Sequence, residues 1–334
     1  MSASSAVLQQ AALSVSAYSR IKPWLSPTPC IPSRQVFEEK TELYYKADNF
    51  QKTGSFKFRG ALSKLTSLST DVPAITASSG NHGLGLSTAA KLTGHNLTVV
   101  LPETVAREKL EKIKALGVKT ILHSNDSGLA EQHAQKLAKE QGKIYVSPYN
   151  DPQIIAGQGT LAIELLDQLP RLDVVYVSIG GGGLISGAIN VFKQLSPETK
   201  IIGIEPKGAP SMMRSIEQNK LVTLEKINGF VDGAAVKKVG NYSFDFCKSH
   251  LDEIILVDEG EICKSILDLK KIEGIIAEPA GAMSTAALRQ FKNEIINKNV
   301  VCLICGGNND ESRMPDINKR AIEWMASNPD FQIH

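Results

Sequence analysis

Val174-Val175-Tyr176-Val177-Ser178-Ile179-Gly180-Gly181-Gly182-Gly183-Leu184 is the stretch from which the rest of the chain can be read. Its first half is apolar and rich in β-branched residues, the pattern of a strand covered on both faces in a parallel sheet. An amphipathic helix follows from Leu184 to Leu195. Between them, four glycines let the backbone approach a ligand closely and turn successive N–H groups inward. The positive end of the helix dipole adds to those groups, so the turn suits a phosphate. It has neither the GxGxxG spacing of dinucleotide folds nor the GK[ST] ending of a P-loop, which argues against NAD and ATP. A flexible linker is the alternative reading of four glycines, and the flanking strand and helix argue against it.

The alternation extends in both directions. Upstream, Glu42–Lys46, Ala74–Ala77, Leu97–Leu101, Lys119–Leu122 and Ile144–Val146 read as strands. Gly85–Leu92, Ala106–Ala115, Gly128–Gln141 and Ile155–Gln168 read as helices. Downstream, Ile201–Ile204, Ile254–Val257 and Val300–Ile304 are expected strands, and Glu259–Ile272 and Gly281–Phe291 expected helices. Ser2 to about Ile21 has apolar residues at near-helical spacing, and Pro23, Pro27, Pro29 and Pro32 force an extended passage after it. Two such series of about four strands each imply an α/β fold of two lobes, with ligands bound beyond the carboxyl ends of the strands.

The bulk numbers agree with a globular enzyme. The chain has 334 residues, 42% hydrophobic and 22% charged, with a formal net charge of +2 from 37 basic and 35 acidic residues. No basic block stands out, so neither nucleic acid nor an acidic membrane is the expected partner. Cys30, Cys247, Cys263, Cys302 and Cys305 are odd in number and scattered, which fits free thiols in a reducing compartment. No basic leader precedes an apolar core, and no apolar run approaches about 18 residues. A soluble cytoplasmic protein is expected.

Several short stretches carry possible chemistry. In Lys52-Thr53-Gly54-Ser55-Phe56-Lys57-Phe58-Arg59-Gly60, Lys57 has a phenylalanine on each side. A lysine in such surroundings either snorkels to the surface or, if desolvated, becomes a neutral amine able to attack a carbonyl. Ser78-Ser79-Gly80-Asn81-His82-Gly83 lies at a strand-to-helix turn, where its hydroxyls, amide and free N–H groups either bind a carboxylate or simply cap the helix. Cys302 and Cys305 have CxxC spacing but no second pair, which argues against zinc. Cys305 ends a strand and precedes Gly306-Gly307-Asn308, where side chains reach a cleft. Glu205, followed by Ala209 and Ser211, either supplies oxygens to a cation or belongs to an ordinary surface loop.

Taken in order, these pieces resemble the fold-type-II family of pyridoxal-phosphate enzymes, in its serine/threonine dehydratase and serine racemase branch. The matching pieces are Gln51–Ala61, Ser78–Gly83, Ile155-Ala156-Gly157-Gln158-Gly159-Thr160, the four glycines, Gly203-Ile204-Glu205-Pro206, Val231-Asp232-Gly233, Glu278-Pro279 and Cys305–Asn308. The resemblance implies a large cofactor-binding domain of residues 1–68 and 150–334 and a small inserted domain of residues 69–149. It implies that Lys57 carries pyridoxal 5′-phosphate as a Schiff base, with Phe56 against the ring. Gly180, Gly181, Gly182 and Gly183, with Leu184, hold the phosphate. Asn81 bonds the ring's 3′ oxygen, Gly233 lies beside the reacting carbons, and Cys305 meets the ring nitrogen. Ser78, Ser79, Asn81 and His82 surround the substrate. Ser79 stands where many dehydratases have alanine and serine racemases have a catalytic serine. Glu205, Ala209 and Ser211 match the family's cation site, and a serine at 211 where Mg²⁺-binding racemases have aspartate favours K⁺ over Mg²⁺.

The implied activity is elimination from a β-hydroxy amino acid, converting L-threonine to 2-oxobutyrate plus ammonia and/or L-serine to pyruvate plus ammonia. A serine racemase or a threo-3-hydroxyaspartate ammonia-lyase is the nearest rival, and a non-catalytic small-ligand binding protein is the rival from another class. A homodimer is the family's habit. Asn308–Met314 is similar to biosynthetic threonine dehydratases, and with the chain ending at His334 neither their regulatory domain nor feedback inhibition by isoleucine is expected.

Overall fold

A computed structural model of the protein describes residues 3–35, 41–290 and 295–329. The apolar runs form β1 (Cys30–Pro32), β2 (Glu42–Ala47), β3 (Ala74–Ala77), β4 (Leu97–Leu101), β5 (Lys119–Leu122), β6 (Ile144–Tyr145), β7 (Val174–Ser178), β8 (Lys200–Pro206), β9 (Glu253–Val257) and β10 (Asn299–Ile304). They make a six-stranded sheet of order β1-β2-β10-β7-β8-β9 and a four-stranded sheet of order β5-β4-β3-β6. Every pairing is parallel except that of β1 with β2. All strands of the smaller sheet fall between β2 and β7 of the larger, so the smaller sheet is an insertion in the larger one. Central β4 and β7 are buried at every residue, as double coverage requires, whereas the edge strand β5 is not buried at any.

The helices are α1 (Ala3–Ile21), α2 (Lys57–Leu65), α3 (Asn81–Thr93), α4 (Arg107–Lys114), α5 (Ser127–Glu140), α6 (Pro152–Gln168), α7 (Gly183–Leu195), α8 (Ser211–Glu217), α9 (Asn241–His250), α10 (Glu259–Asp268), α11 (Pro279–Ala287) and α12 (Met314–Ser327). Aspartates start three of them: the carboxylates of Asp126, Asp151 and Asp258 accept backbone N–H groups in the first turns of α5, α6 and α10. Glycines bring α2, α6 and α7 unusually close together. A Cβ on Gly157 would lie 2.5 Å from the Arg59 carbonyl oxygen, and one on Gly187 would lie 2.5 Å from the Gly159 nitrogen. The apolar cluster beneath the small sheet takes Ile21, Phe58 and Ile154 from the flanking chain, so the two sheets share packing rather than merely touching.

A charged cluster lies where α2, α6 and the end of β2 meet. Arg59, Lys46 and Asp48 are 0% exposed. Arg59 Nε and Nη2 donate to the two oxygens of Asp48 at 2.7 and 2.8 Å, and Nη1 and Nη2 donate to the two oxygens of Glu164 at 3.1 Å. Lys46 Nζ donates to Glu164 Oε1 at 2.6 Å and to the Thr28 carbonyl at 2.7 Å. Two cations thus face two carboxylates with their hydrogen bonds made, which is the condition under which buried charge is tolerated. Burial alone would raise the Glu164 carboxyl, but Arg59 and Lys46 override it and hold it at about 2. That group therefore contributes stability above its ordinary value, and the contribution is lost as pH falls toward 2.

Three expectations change in detail. The helix expected over Glu259–Ile272 is α only to Asp268; a π-turn over Leu269–Glu273 follows, ending at Gly274 with φ +72°. The wider turn brings Glu273 inward to accept from the Ser33 hydroxyl and the Arg34 amide. The helix expected over Gly281–Phe291 begins earlier, at Pro279, and passes into a 3₁₀ turn at Leu288–Gln290; Phe291 lies outside the described residues, as does Ser2. The proline-rich passage contains a 3₁₀ turn at Lys22–Trp24 and the short strand β1.

Replacing Arg59 with alanine strands Asp48 and half of Glu164 in the interior. Urea unfolding of Arg59→Ala is expected to show a loss of about 3–5 kcal/mol; a loss below about 1 kcal/mol, typical of exposed pairs, would contradict this description.

Candidate active site

Lys57 is the first residue of α2, two positions before the clamped Arg59. The turn leading to it is stitched to the end of β10. Phe56 N donates to the Cys305 carbonyl at 3.0 Å, Gly307 N donates to the Gly54 carbonyl at 2.9 Å, and Ser55 bridges Gly306. Gly54 has φ +72°, the left-handed backbone that glycine adopts without strain. Lys57 Nζ donates to the Pro148 carbonyl at 2.9 Å and lies 5.2 Å from the centre of the Phe56 ring. Burial lowers its pKa to about 8, with the Glu278 carboxylate opposing. This is the desolvated alternative posed by the sequence, not the snorkelling one.

The glycine turn follows β7 and opens α7, with Gly182 at φ +95°. No side chain could be added here. A Cβ on Gly181 would lie 2.2 Å from the Tyr149 ring, and one on Gly182 would lie 2.4 Å from Ser243 Cβ. Among the described residues, the N–H groups of Gly181, Gly182, Gly183 and Leu184 donate to no protein acceptor. Such unspent donors at a helix N-terminus fit a phosphate. Lys57, Phe56, Gly180 to Gly183, Leu184, Gly233 and Cys305 line one cavity together with Tyr149, Ser178, Ala234 and Ala280. The residues present therefore fit a pyridoxal phosphate: an amine at one end, a phosphate cradle at the other, and an apolar slot between.

Cys305 is buried at the end of β10, and its Sγ donates to the Ala280 carbonyl at 3.4 Å. Burial pushes its thiol far up, so it stays neutral. Ser178 donates to the same carbonyl at 2.8 Å.

A second cradle belongs to the small sheet. The turn Ser78-Ser79-Gly80 leads from β3 into α3, and the N–H groups of Asn81, His82 and Gly83 donate to no protein acceptor among the described residues. This helix approaches the lysine directly: a Cβ on Gly85 would lie 3.2 Å from Phe58 N and 3.3 Å from the Lys57 carbonyl carbon. His82 is buried, and burial, with Lys57 adding to it, lowers its pKa to about 3. Its Nε2 lies 3.3 Å from the Val146 carbonyl, which requires the proton on Nε2 and leaves Nδ1 as a lone pair. A neutral ring is what this turn contains, so its attraction for a carboxylate comes from backbone N–H groups rather than an imidazolium. Ser78 Oγ accepts the Gly80 N–H at 3.2 Å, whereas the half-buried Ser79 hydroxyl bonds no other described residue.

Asn81 does not line the cavity of Lys57, nor do the two side chains it bonds, Glu278 and Asn308. Its Nδ2 donates to Glu278 Oε1 at 2.7 Å, and its Oδ1 accepts from Asn308 Nδ2 at 2.7 Å. The expected cation residues run from the end of β8 to the start of α8 and do not line the cavity of Lys57. Glu205 is buried, its two oxygens accepting Met212 N at 2.7 Å and Met213 N at 2.8 Å. Burial raises its carboxyl to about 7, the two amides opposing. Ser211 Oγ donates to the Val236 carbonyl, and the Ala209 carbonyl accepts Ser211 N at 3.0 Å. Among the described residues no three His, Cys, Asp or Glu side chains are grouped as metal ligands.

Sequence reasoning assigned no role to Pro148, Tyr149, Glu278 or Asn308. The motifs Glu278-Pro279 and Cys305–Asn308 flagged two of these positions by resemblance, but no local pattern marks Pro148-Tyr149, which meets the site only through the fold.

The family description "Pyridoxal-phosphate dependent enzyme" matches residues 21–306. The chain is similar to the biosynthetic L-threonine dehydratase of Staphylococcus epidermidis, 41% identical over 318 residues that cover 92% of this chain and 75% of the relative. It is 38% identical to that of Bacillus subtilis over 314 residues, covering 92% and 74%. Among solved structures, the processed form of threonine deaminase isoform 2 from Solanum lycopersicum matches with a TM-score of 0.90 at 32% identity, covering 95% of this chain and 88% of that one. Maize serine racemase matches with a TM-score of 0.85 at 30% identity, covering 94% and 98%. Among the described residues no helix is long and apolar enough to cross a membrane.

An amine held at a pKa of about 8 makes a direct prediction. Capture of pyridoxal phosphate by cofactor-free protein, followed by its visible absorbance, is expected to rise with pH through a midpoint near 8. A midpoint near the ordinary lysine value of 10.5 would contradict the burial described for Lys57.

Proposed function

The chain belongs to the pyridoxal-phosphate dependent enzyme family, and from that premise we propose that it is a threonine/serine ammonia-lyase. It converts L-threonine to 2-oxobutyrate plus ammonia and/or L-serine to pyruvate plus ammonia. The observation that carries the reading is the pair of helix N-termini, α7 and α3, that lie beside Lys57 with backbone N–H groups unspent. One suits the phosphate of a cofactor, the other the carboxylate of an amino acid.

Each residue then has a defined task. Lys57 would hold the cofactor covalently and, once displaced by the substrate amine, would act as general base on the substrate α-carbon. Its lowered pKa leaves a useful fraction uncharged near neutral pH, as a base requires. Gly181, Gly182, Gly183 and Leu184 would bind the phosphate, and Phe56 would lie against the ring. The cofactor supplies the electron sink that makes the α-proton acidic. Cys305 would meet the ring nitrogen with a neutral thiol rather than a carboxylate. The α3 N-terminus, with Ser78 and Ser79 at its entrance, orients the substrate carboxylate. Gly233 leaves room beside the reacting carbons.

The reading divides the chain into a cofactor domain of residues 1–68 and 150–334 and a small domain of residues 69–149, in a cytoplasmic homodimer. Glu205, Ala209 and Ser211 would offer one carboxylate, a carbonyl and a hydroxyl to a monovalent cation, a donor set too weakly charged for tight Mg²⁺ binding. Ser79, with a hydroxyl that bonds no other described residue, supports a minor serine-racemase activity as a second reading.

Product analysis of the purified holoenzyme tests these together. L-Threonine and L-serine are expected to yield 2-oxobutyrate and pyruvate, threo-3-hydroxyaspartate little oxaloacetate, and Lys57→Ala none of these. KCl is expected to raise the rate where MgCl₂ does not. Trace D-serine from L-serine should vanish in Ser79→Ala. D-serine as the main product, or activity on threo-3-hydroxyaspartate alone, would overturn the assignment.

A further inference from the structure

Asn81 is held from both sides. Going outward on one side, its Oδ1 accepts from Asn308 Nδ2 at 2.7 Å, and the same Asn308 nitrogen donates to the Thr53 carbonyl at 2.8 Å. On the other side, its Nδ2 donates to Glu278 Oε1 at 2.7 Å. The two ends of this chain are groups that accept: a backbone carbonyl, and a carboxylate when ionised. The Thr53 carbonyl forces Asn308 to turn its nitrogen inward. That nitrogen in turn demands the oxygen of Asn81, which leaves the Asn81 nitrogen for Glu278. A reversed Asn81 would set its carbonyl against the carboxylate and its NH₂ against the Asn308 NH₂, so both ends resist the reversal.

The backbone makes room for this arrangement. A Cβ on Gly306 would lie 2.3 Å from Glu278 Oε1, and one on Gly54 would lie 2.3 Å from Asn308 Oδ1. Glu278 is itself fixed at the start of α11, its own N–H donating to the Gly306 carbonyl at 3.0 Å. Asn81 Nδ2 carries two hydrogens, and Glu278 takes one.

We propose that Glu278 and Asn308 are positioning residues: they lock the Asn81 carboxamide in one orientation, committing one of its amide hydrogens so that the other is presented to the cofactor's ring oxygen. This rests on the reading of Asn81 as a cofactor-binding residue. A charged acceptor makes the stronger hold, because hydrogen bonds to ionised groups are roughly twice as strong as neutral ones. Burial raises the Glu278 carboxyl to about 7, with Asp232 pushing the same way and Asn81, Lys57 and the Asn308 amide opposing. Cys305, also nearby, stays a neutral thiol. The hold on Asn81 therefore strengthens as pH rises through about 7.

The test uses holoenzyme of Asn81→Ala, Glu278→Gln, Glu278→Asp and Asn308→Ala, reading the visible cofactor band against pH and the rate of cofactor release to an aldehyde trap, with thermal melts to confirm folding. Glu278→Gln and Asn308→Ala are each expected to release cofactor roughly tenfold faster or more. Glu278→Gln should also abolish any step in the visible band near pH 7, whereas Glu278→Asp should retain it at a shifted midpoint. Combining Glu278→Gln with Asn81→Ala should add little to Asn81→Ala alone, since both act through one amide. If Asn81→Ala perturbs band and release but Glu278→Gln and Asn308→Ala do not, the positioning proposal is overturned. If Asn81→Ala itself changes neither, it is the reading of Asn81 that falls. Should Glu278→Gln not fold, Glu278→Asp and Asn308→Ala decide by the same readouts.

Discussion

Everything at the reactive centre depends on where α2 begins, and that is set by the guanidinium of Arg59. Its donors are divided between Asp48, just past β2, and Glu164 on α6, while Lys46 neutralises the remaining charge. A planar fork with five donors fixes a helix in rotation as well as position, which a single point charge such as a lysine would not. Lys57 is two residues away, so the clamp that satisfies buried charge also fixes where the lysine can point. The close contacts at Gly157 and Gly85 complete this, bringing α6 and α3 against the same helix.

Around that fixed amine the fold places opposite demands on neighbouring groups. Burial makes Lys57 easier to deprotonate, keeps His82 and the Cys305 thiol neutral, and raises Glu278. The site therefore holds little permanent charge, and its affinity for anions comes from backbone N–H groups at the starts of α7 and α3. Fixed dipoles of this kind need no reorganisation and do not compete with the amine for protons. Both cradles lie beyond the carboxyl ends of parallel strands, β7 and β3, one from each sheet. That is where the topology of an inserted sheet leaves space between its elements.

Much of this can be read in the sequence, for identifiable reasons. β4 and β7 are continuous apolar runs, and a run of four glycines from the end of β7 into α7 has few other uses, so strand, cradle and helix follow from local pattern alone. The same is true of Lys57 only in part. Helix α2 is hidden because its first residues follow a turn and Gly60 interrupts it, and the reason for Gly60 is the packing of Gln158 against it. Lys46, Asp48, Arg59 and Glu164 look like ordinary surface charges, since only tertiary contact shows that they are buried together. Tyr149 and Pro148 lie between β6 and α6 with no signature of their own. β1, three residues in a run of prolines, becomes a strand only because β2 is there to pair with it. What the sequence marks well is backbone demand and burial of apolar surface; what it marks poorly is partnership between polar groups far apart in the chain.

The central claim is that the amine fixed by Arg59 is the one that carries the cofactor. Reduction of the holoenzyme with borohydride, followed by peptide mapping, tests it most directly. The account predicts a pyridoxyl label on Lys57 in stoichiometric yield. A label on any other lysine, with Lys57 unmodified, would contradict it.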